Sequence, residues 1–148
     1  MTASTPATEE RRTTRILVIA TLLCSYPGID ATGQAHMEYP PNTYVIPTPD
    51  PVMFPESFYL YCFDHAIDGI LVASCGTDSP YEGSYEQLAA RISRVYGLMK
   101  DRGLDIRRLK LTAICSVCTK AFVKEIEGMN ALLDEIGPVH PAAAAGVA

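Results

Sequence analysis

The chain has 148 residues, 48% of them hydrophobic and 20% charged, which is enough to bury one core and too little to predict two domains. The net charge of -5 comes from interspersed charges, and no basic stripe interleaved with aromatic residues indicates a nucleic-acid partner. The longest apolar stretch, residues 16–24, is too short to cross a bilayer and is not preceded by a secretion signal, so we expect no transmembrane segment and a cytoplasmic location.

The two ends of the chain differ in composition from the middle. Residues 1–13 are rich in Thr, Ala, Ser, Pro and Glu, and residues 139–148 are mostly alanine. Neither end has the apolar pattern of a packed element, so both are predicted to be flexible tails. The sequence therefore predicts a single α/β domain over residues 14–138.

The first half of that domain predicts two strands separated by a helix. Residues 15–23 form a continuous apolar run, which is typical of a strand covered on both faces in a parallel sheet. A short helix is expected within residues 25–38, opening near residues 28–30. A shorter strand at residues 44–46 is then followed by a proline-rich loop over residues 47–55.

The second half repeats this alternation with longer helices. The predicted elements are a helix over 55–67 closed by Gly69, a strand over 70–74, a helix from Ser84 to near Gly103, a strand over 109–114 and a helix over 120–135. The order βαβαβαβα predicts a small doubly wound, flavodoxin-like parallel sheet of about four strands with helices on both faces. In the usual strand order the first and third strands are neighbours, and the less apolar fourth strand lies beside the third, near a sheet edge.

Four of the five cysteines follow predicted strands. Cys24, Cys75 and Cys115 each come just after a different strand, and Cys118 is three residues beyond Cys115. Because parallel strands end at the same edge of a sheet, where doubly wound folds place their ligands, we expect the four thiols to lie near one another. Four cysteines are sufficient ligands for a [2Fe–2S] cluster, a [4Fe–4S] cluster or a zinc ion, and their spacing does not choose among these.

Other interpretations of the same cysteines stay open. Any one of them is compatible with a small packing side chain, which is how we interpret Cys62, within the second predicted helix. Cys115 and Cys118 also have the spacing of a thiol–disulfide redox pair, although they follow the fourth strand and not the first. Neither His36 nor His65 has a partner at metal-ligand spacing, and Asp30, Asp50 and Asp78 are scattered over separate segments, so chemistry on a substrate is poorly supported.

Several segments together resemble a known protein family. They are Leu23-Cys-Ser-Tyr-Pro-Gly-Ile-Asp30, Glu38-Tyr-Pro-Pro41, Asp68-Gly-Ile-Leu-Val-Ala-Ser-Cys75 and Gly103-Leu-Asp-Ile-Arg-Arg-Leu109. In this order they resemble the delta subunit family of methyl-viologen-reducing hydrogenase, over about residues 16 to 138. The resemblance implies a small protein with a [2Fe–2S] cluster that passes electrons between a hydrogenase or formate dehydrogenase and the flavoprotein subunit of a heterodisulfide-reductase-like, electron-bifurcating complex. It implies an electron carrier and not a catalyst on its own.

The chain departs from that family in its cysteines. Family members carry further cysteines where this chain has Thr21, Pro49 and a shortened loop around Pro80, so only Cys24 and Cys75 carry over. Cys115 and Cys118 fall where the family has small or polar residues. The resulting hypothesis is a rearranged ligand set of Cys24, Cys75, Cys115 and Cys118. The alternatives are a structural or adaptor subunit with zinc or no metal, and a thiol–disulfide protein that uses Cys115 and Cys118.

A docking surface is also predicted near these cysteines. Tyr26, Tyr39, Tyr81 and the proline-rich loop over residues 47–55 combine aromatic and rigid residues in loops at the expected ligand edge. Such loops are equally compatible with rigid connections that have no partner.

Overall fold

The computed structural model describes residues 12–139, in which strands and helices alternate strictly. The elements are β1 (Ile16–Thr21), α1 (Ser25–Gln34), β2 (Thr43–Thr48), α2 (Glu56–Asp64), β3 (Gly69–Ser74), α3 (Ser84–Asp101), β4 (Leu109–Ala113) and α4 (Thr119–Ile136). Short 3₁₀ turns precede α2, α3 and β4. The described part of the chain therefore confirms the predicted α/β class.

The four strands form one sheet in which every neighbouring pair is parallel. Their order is β2-β1-β3-β4, as predicted for a flavodoxin-like sheet. Every residue of the inner strands β1 and β3 is buried, whereas the edge strands β2 and β4 are partly exposed. The continuous apolar runs are thus the inner strands, and the less apolar fourth strand lies at an edge.

Two helices cover each face of the sheet. On one face α2 and α3 contribute Phe63 and Met99 to a buried cluster. On the other face α1 and α4 contribute Ile29 and Phe122. Burying one such side chain contributes roughly 1.5–3 kcal/mol, so the two clusters together hold the helices against the sheet.

The first helix begins earlier than the sequence predicts. It opens at Ser25, directly after Cys24, and not near residues 28–30. Pro27 lies in its first turn, where the backbone N–H groups have no partner within the helix, so proline is tolerated there. As a result, no flexible segment separates Cys24 from the helix.

The second helix ends earlier than predicted, for a different reason. It stops at Asp64, and the chain reverses through Ala66, which has a φ of 66°. Gly69 does not close the helix and is the first residue of β3, where an added Cβ would lie 2.8 Å from Met129 Sδ. Glycine at this position therefore allows α4 to pack closely against β3.

Asp68 joins the two ends of the described chain at the amino edge of the sheet. Its buried carboxylate accepts two hydrogen bonds from the Arg12 guanidinium, at 2.7 Å each, and one from the backbone N–H of Arg15. It also accepts from the backbone N–H of Val139, at 2.8 Å. The tails predicted at residues 1–13 and 139–148 lie, except for residues 12, 13 and 139, outside the described residues.

None of the helices within residues 12–139 has the length and apolar composition that crossing a membrane requires.

Candidate functional site

The carboxyl edge of the sheet holds four of the five cysteines. Cys24 lies between β1 and α1, and Cys75 directly follows β3. Cys115 comes two residues after β4, and Cys118 directly precedes α4. The parallel sheet therefore delivers all four to one end of the domain, as the strand pattern indicates.

The four sulfurs are arranged as two pairs. Cys24 and Cys75 form a disulfide, and their Cα atoms are 5.7 Å apart. Cys115 and Cys118 form a second disulfide, and their Cα atoms are 5.1 Å apart. One pair thus joins the ends of the two inner strands, and the other closes the turn between β4 and α4.

Ser25 ties the two pairs to a common backbone frame. Its buried Oγ lies 3.2 Å from the carbonyl oxygen of Ser74 and 3.1 Å from that of Ile114. These carbonyls belong to the residues that immediately precede Cys75 and Cys115. A single hydroxyl on the residue after Cys24 therefore bridges the ends of β3 and β4.

Gly28 brings the first helix against the second pair. A Cβ added at this position would lie 2.5 Å from the Cys115 carbonyl oxygen and 3.6 Å from the Ser116 carbonyl carbon. No side chain larger than hydrogen fits without moving backbone. The Cys-Ser-Tyr-Pro-Gly segment of residues 24–28 thus has a clear structural reason: it supplies one sulfur, one bridging hydroxyl and one close backbone contact.

Two of the four cysteines occupy the N-cap positions of helices. Cys24 precedes the first turn of α1, and Cys118 precedes the first turn of α4. Unpaired N–H groups and the positive end of the helix dipole favour negative charge at such positions. Each pair therefore contains one sulfur at the amino end of a helix.

The fifth cysteine has different surroundings. Cys62 is buried within the hydrophobic cluster on the α2 and α3 face. Burial raises the pKa of the Cys62 thiol from 9.0 to about 11. It packs as a small apolar side chain, as we interpret it from the sequence.

The donor set can be compared with what each metal group requires. Among residues 12–139, no three His, Cys, Asp or Glu side chains come close enough together to hold one metal ion. A structural zinc site needs about four ligands around a single ion, which the pairwise arrangement does not offer. A [2Fe–2S] cluster takes about four thiolates, two on each of its irons, so the four edge cysteines match it in number.

The remaining polar candidates have local structural roles. The Asp50 carboxylate accepts from the Val52 N–H at 2.9 Å and so caps a 3₁₀ turn. Asp30 accepts from the Gln34 side chain one turn along α1, and the Tyr61 carbonyl lies 2.8 Å from His65 Nδ1. These contacts tie Asp50, Asp30 and His65 to neighbouring residues of their own segments.

Sequence reasoning predicted that the four cysteines share one edge of the sheet and missed the residues that position them. Ser25 and Gly28 both lie inside the first segment that carries the family resemblance. A buried serine and a glycine in a helix next to a predicted ligand are the signals that could have indicated a close backbone contact. Their partners, the carbonyls of Ser74, Ile114 and Cys115, become apparent only from the three-dimensional structure.

Curated relatives of the chain include two long proteins and one short one. The chain is 31% identical over 118 residues to a subunit of the ferredoxin:CoB-CoM heterodisulfide reductase of Methanosarcina mazei, a match covering 78% of this chain and 15% of that protein. The identity and coverage are the same for the corresponding subunit of the ferredoxin/F(420)H(2)-dependent CoB-CoM heterodisulfide reductase of Methanosarcina acetivorans. It is 26% identical over 87 residues to the iron-sulfur subunit of the F420-non-reducing hydrogenase vhc of Methanococcus voltae, covering 58% of this chain and 60% of that one.

A family model matches most of the domain. Residues 16–137, from the start of β1 to just past the end of α4, match the methyl-viologen-reducing hydrogenase delta subunit family. The match contains all four edge cysteines. The chain spans about 15% of the length of the two heterodisulfide reductase relatives, so the match concerns one segment of those proteins. The chain belongs to the methyl-viologen-reducing hydrogenase delta subunit family.

Proposed function

We propose that this chain is an electron-transfer subunit that binds an iron–sulfur cluster through Cys24, Cys75, Cys115 and Cys118. It relays electrons between an oxidoreductase, such as a hydrogenase or formate dehydrogenase, and a heterodisulfide-reductase-like flavoprotein in a cytoplasmic, electron-bifurcating complex. The observation that carries this proposal is the grouping of four cysteines into two pairs at one sheet edge.

The pairwise grouping favours a [2Fe–2S] cluster over the alternatives. Once a dithiol or similar two-electron reductant has reduced the S–S bond of each pair to two thiolates, Cys24 with Cys75 and Cys115 with Cys118 would each hold one iron. When bound, such a cluster supplies a one-electron couple and makes or breaks no substrate bond. A [4Fe–4S] cluster or zinc would require the four sulfurs to regroup around a different centre.

The chain's own residues set the environment of the sulfurs. The N-terminal ends of α1 and α4 direct backbone dipoles at Cys24 and Cys118, which favours the anionic thiolate. Ser25 and Gly28 keep the strand ends and α1 at fixed distances, so that little structure moves when charge changes. Hydrogen bonding and solvent exposure around cysteine sulfurs are among the factors that tune cluster potentials.

The names of the relatives support the proposed partners. One relative is an iron–sulfur subunit of a hydrogenase, and the other two are subunits of heterodisulfide reductases. Two heterodisulfide reductase subunits contain a segment similar to this chain. We would expect this if the domain works beside a heterodisulfide-reductase-like flavoprotein.

Metal and sulfide analysis tests the proposal. The protein is made and purified without oxygen, and iron, zinc and acid-labile sulfide are measured beside the visible spectrum. We expect iron and sulfide in the wild type, and their loss in both Cys24→Ser/Cys75→Ser and Cys115→Ser/Cys118→Ser. Cys62→Ser is the matched control and should keep both, because Cys62 lies in the core away from the edge.

Zinc in place of iron, or no metal, would contradict the proposal. Either result would favour the structural or adaptor subunit instead. Iron that survives in Cys115→Ser/Cys118→Ser would show that the rearranged ligand set is wrong.

A second candidate function follows from the disulfide between Cys115 and Cys118. Their disulfide would accept two electrons and two protons to give two thiols, which makes the chain a thiol–disulfide redox protein. Cys118 lies at the N-cap of α4, and Cys115 lies in the turn before it. Under this alternative, Cys24→Ser should leave the dithiol titration of Cys115 and Cys118 intact, with no iron in either protein.

A further inference from the structure

Large apolar side chains are exposed around the paired cysteines. Their exposed fractions range from 46% for Leu22 to 81% for Val117, with Leu23, Met53 and Tyr81 between these values. Leu22 and Leu23 directly precede Cys24, and Val117 lies between Cys115 and Cys118. Exposed apolar groups in this number at one end of a small domain are typical of a protein interaction site.

Backbone and side-chain contacts connect Leu22, Met53 and Tyr81 along one side of this edge. The Leu22 N–H donates to the Thr48 carbonyl at 2.8 Å, and the Thr48 hydroxyl contacts Met53 Sδ at 3.0 Å. Met53 and Tyr81 then line the same surface pocket of about 380 Å³. On the other side, the Cys115–Cys118 turn that carries Val117 lies against α1 at Gly28.

The segments that form this edge contain acidic and no basic residues of their own. Four segments form it: residues 21–25, 48–53, 75–83 and 113–118. They contain Asp50, Asp78 and Glu82, and their sequence includes no Lys, Arg or His. The nearest basic residue after Cys118 is Lys120, in the first turn of α4.

Arg94 and Arg102 on the α2 and α3 side pair with carboxylates away from this edge, whereas the partly buried guanidinium of Arg91 donates to the carbonyls of Val52 and Phe54 beside it. Arg94 contacts Glu56 at 2.7 Å, and Arg102 contacts Asp64 at 2.9 Å. Of the acidic edge residues, Asp78 and Glu82 are exposed. The carboxyl edge therefore combines an apolar surface with exposed carboxylates at its border.

We propose that the docking surface formed by Leu22, Leu23, Met53, Tyr81 and Val117 binds a protein partner whose contact face is apolar at its centre and bordered by Lys and Arg. The charge of the edge selects this partner, because opposite charges at the border steer and orient the encounter. The inference rests on the proposed function, since docking there would bring a partner's cofactor next to the paired sulfurs.

The three tyrosines predicted near the cysteines take different positions. Tyr39 packs against Phe122 with ring centroids 5.3 Å apart, and Tyr26 is partly buried against the same cluster. Tyr26 on α1 and Tyr39 in the loop before β2 thus pack against the cluster that contains Phe122 of α4, and Tyr81 is the tyrosine of the three that is exposed.

A basic redox protein is a suitable probe. Cytochrome c has lysines around an exposed haem edge, so it presents the chemistry that the edge should recognise. The full chain is mixed with oxidised cytochrome c, joined by a carbodiimide that links carboxylates to nearby amines, and the linked residues are mapped by mass spectrometry. Binding is measured in parallel by titration at low and at physiological salt.

The wild type should cross-link through Asp50, Asp78 or Glu82, and added salt should weaken its binding. Asp78→Lys/Glu82→Lys should bind roughly tenfold more weakly at low salt. The matched control Asp101→Lys/Glu127→Lys makes the same change in net charge at exposed positions outside the edge segments and should bind severalfold more tightly than the edge variant. Leu23→Ser/Val117→Ser should also weaken binding, whereas Leu98→Ser, at an exposed position of α3, should not.

Cross-links that map outside the edge, or equal binding by the edge variant and its matched control, would overturn the proposal. So would a wild type that fails to bind the probe at low salt. Iron and sulfide are measured on the same preparations, and binding does not depend on them. Absent iron with intact edge-specific binding would therefore remove the proposed electron relay and leave the docking surface standing.

Discussion

Gly28 shows how a single hydrogen in place of a methyl group positions the site. We predict that Gly28→Ala destabilises the protein by roughly 1–3 kcal/mol, because the new Cβ would lie 2.5 Å from the Cys115 carbonyl oxygen and the backbone has to move. The same displacement should lower the iron bound per chain. Urea unfolding and iron analysis measure the two effects.

Gly33 provides the matched control for this substitution. It lies in the same helix, and a Cβ there would meet nothing within 4 Å. Gly33→Ala should be neutral or stabilising by up to about 1 kcal/mol, since alanine is the better helix former. If both alanine variants behaved alike, close contact at Gly28 would not be what holds α1 in place.

We predict that the protein loses stability at high pH, because the Cys62 thiol and the Tyr59 hydroxyl are both buried. Burial raises the pKa of Cys62 from 9.0 to about 11 and that of Tyr59 from 10.0 to about 12, so both groups hold their protons more tightly when folded. The resulting stability is fully present below the unfolded pKa near 9.0 and is lost as the pH rises toward the folded values. Urea unfolding between about pH 7 and pH 11 should show a free energy that falls from about pH 9.

Replacing Cys62 shows how much of the fall in unfolding free energy at high pH comes from its thiol. Cys62→Ala should be less stable than the wild type at neutral pH, because it leaves a cavity, yet lose less stability per pH unit between about pH 9 and pH 11. Parallel curves for the two proteins would mean that Cys62 does not titrate on unfolding in this range.

Among the secondary-structure elements, β3 is connected through Asp68 to both ends of the described chain. We predict that Asp68→Asn lowers the free energy of unfolding by roughly 2–4 kcal/mol, because a buried carboxylate loses charge-assisted bonds to Arg12 and to two backbone N–H groups. Urea unfolding measures the loss.

Asp64→Asn is the comparison for a surface ion pair. Asp64 contacts Arg102 at 2.9 Å, and both side chains are partly exposed, so its loss should cost less than about 1 kcal/mol. Equal losses in the two variants would show that the Asp68 contacts add nothing beyond an ordinary surface pair. Metal content should stay unchanged in both, since Asp68 lies at the opposite edge from the cysteines.

The strands were predictable from the sequence and the helix starts less so. Continuous apolar runs identify β1 and β3 because both faces of an inner parallel strand are covered. The start of α1 was predicted too late because a proline usually interrupts a helix, whereas Pro27 lies in the first turn, where proline is tolerated. Likewise, Gly69 resembles a helix stop, while its role depends on Met129, which is distant in sequence.

For the whole molecule, topology explains what could be predicted about the site. A parallel sheet places every strand end on one edge, so cysteines after three strands were expected to lie together there. The partner of each cysteine was not predictable, because it depends on the register between β1 and β3 and on the turn after β4. The family match identifies the class of protein, whereas which cysteines bind a cluster has to be determined by experiment.

The two edges of the sheet have different roles. The amino edge closes the domain through the Asp68 contacts, whereas the carboxyl edge presents paired sulfurs, apolar side chains and carboxylates. The carboxyl edge is therefore the end of the domain at which the proposed cluster and partner would bind.

The number of electrons that each chain accepts distinguishes a bound cluster from a pair of disulfides. Protein purified without oxygen is titrated with a calibrated reductant while visible absorption and electron paramagnetic resonance are recorded. We predict uptake of about one electron per chain, with bleaching of the visible bands and a paramagnetic signal in the reduced protein, which Cys62→Ser retains. Uptake of about two or four electrons by a colourless protein without such a signal would show that the paired cysteines work as disulfides and would contradict the proposed cluster.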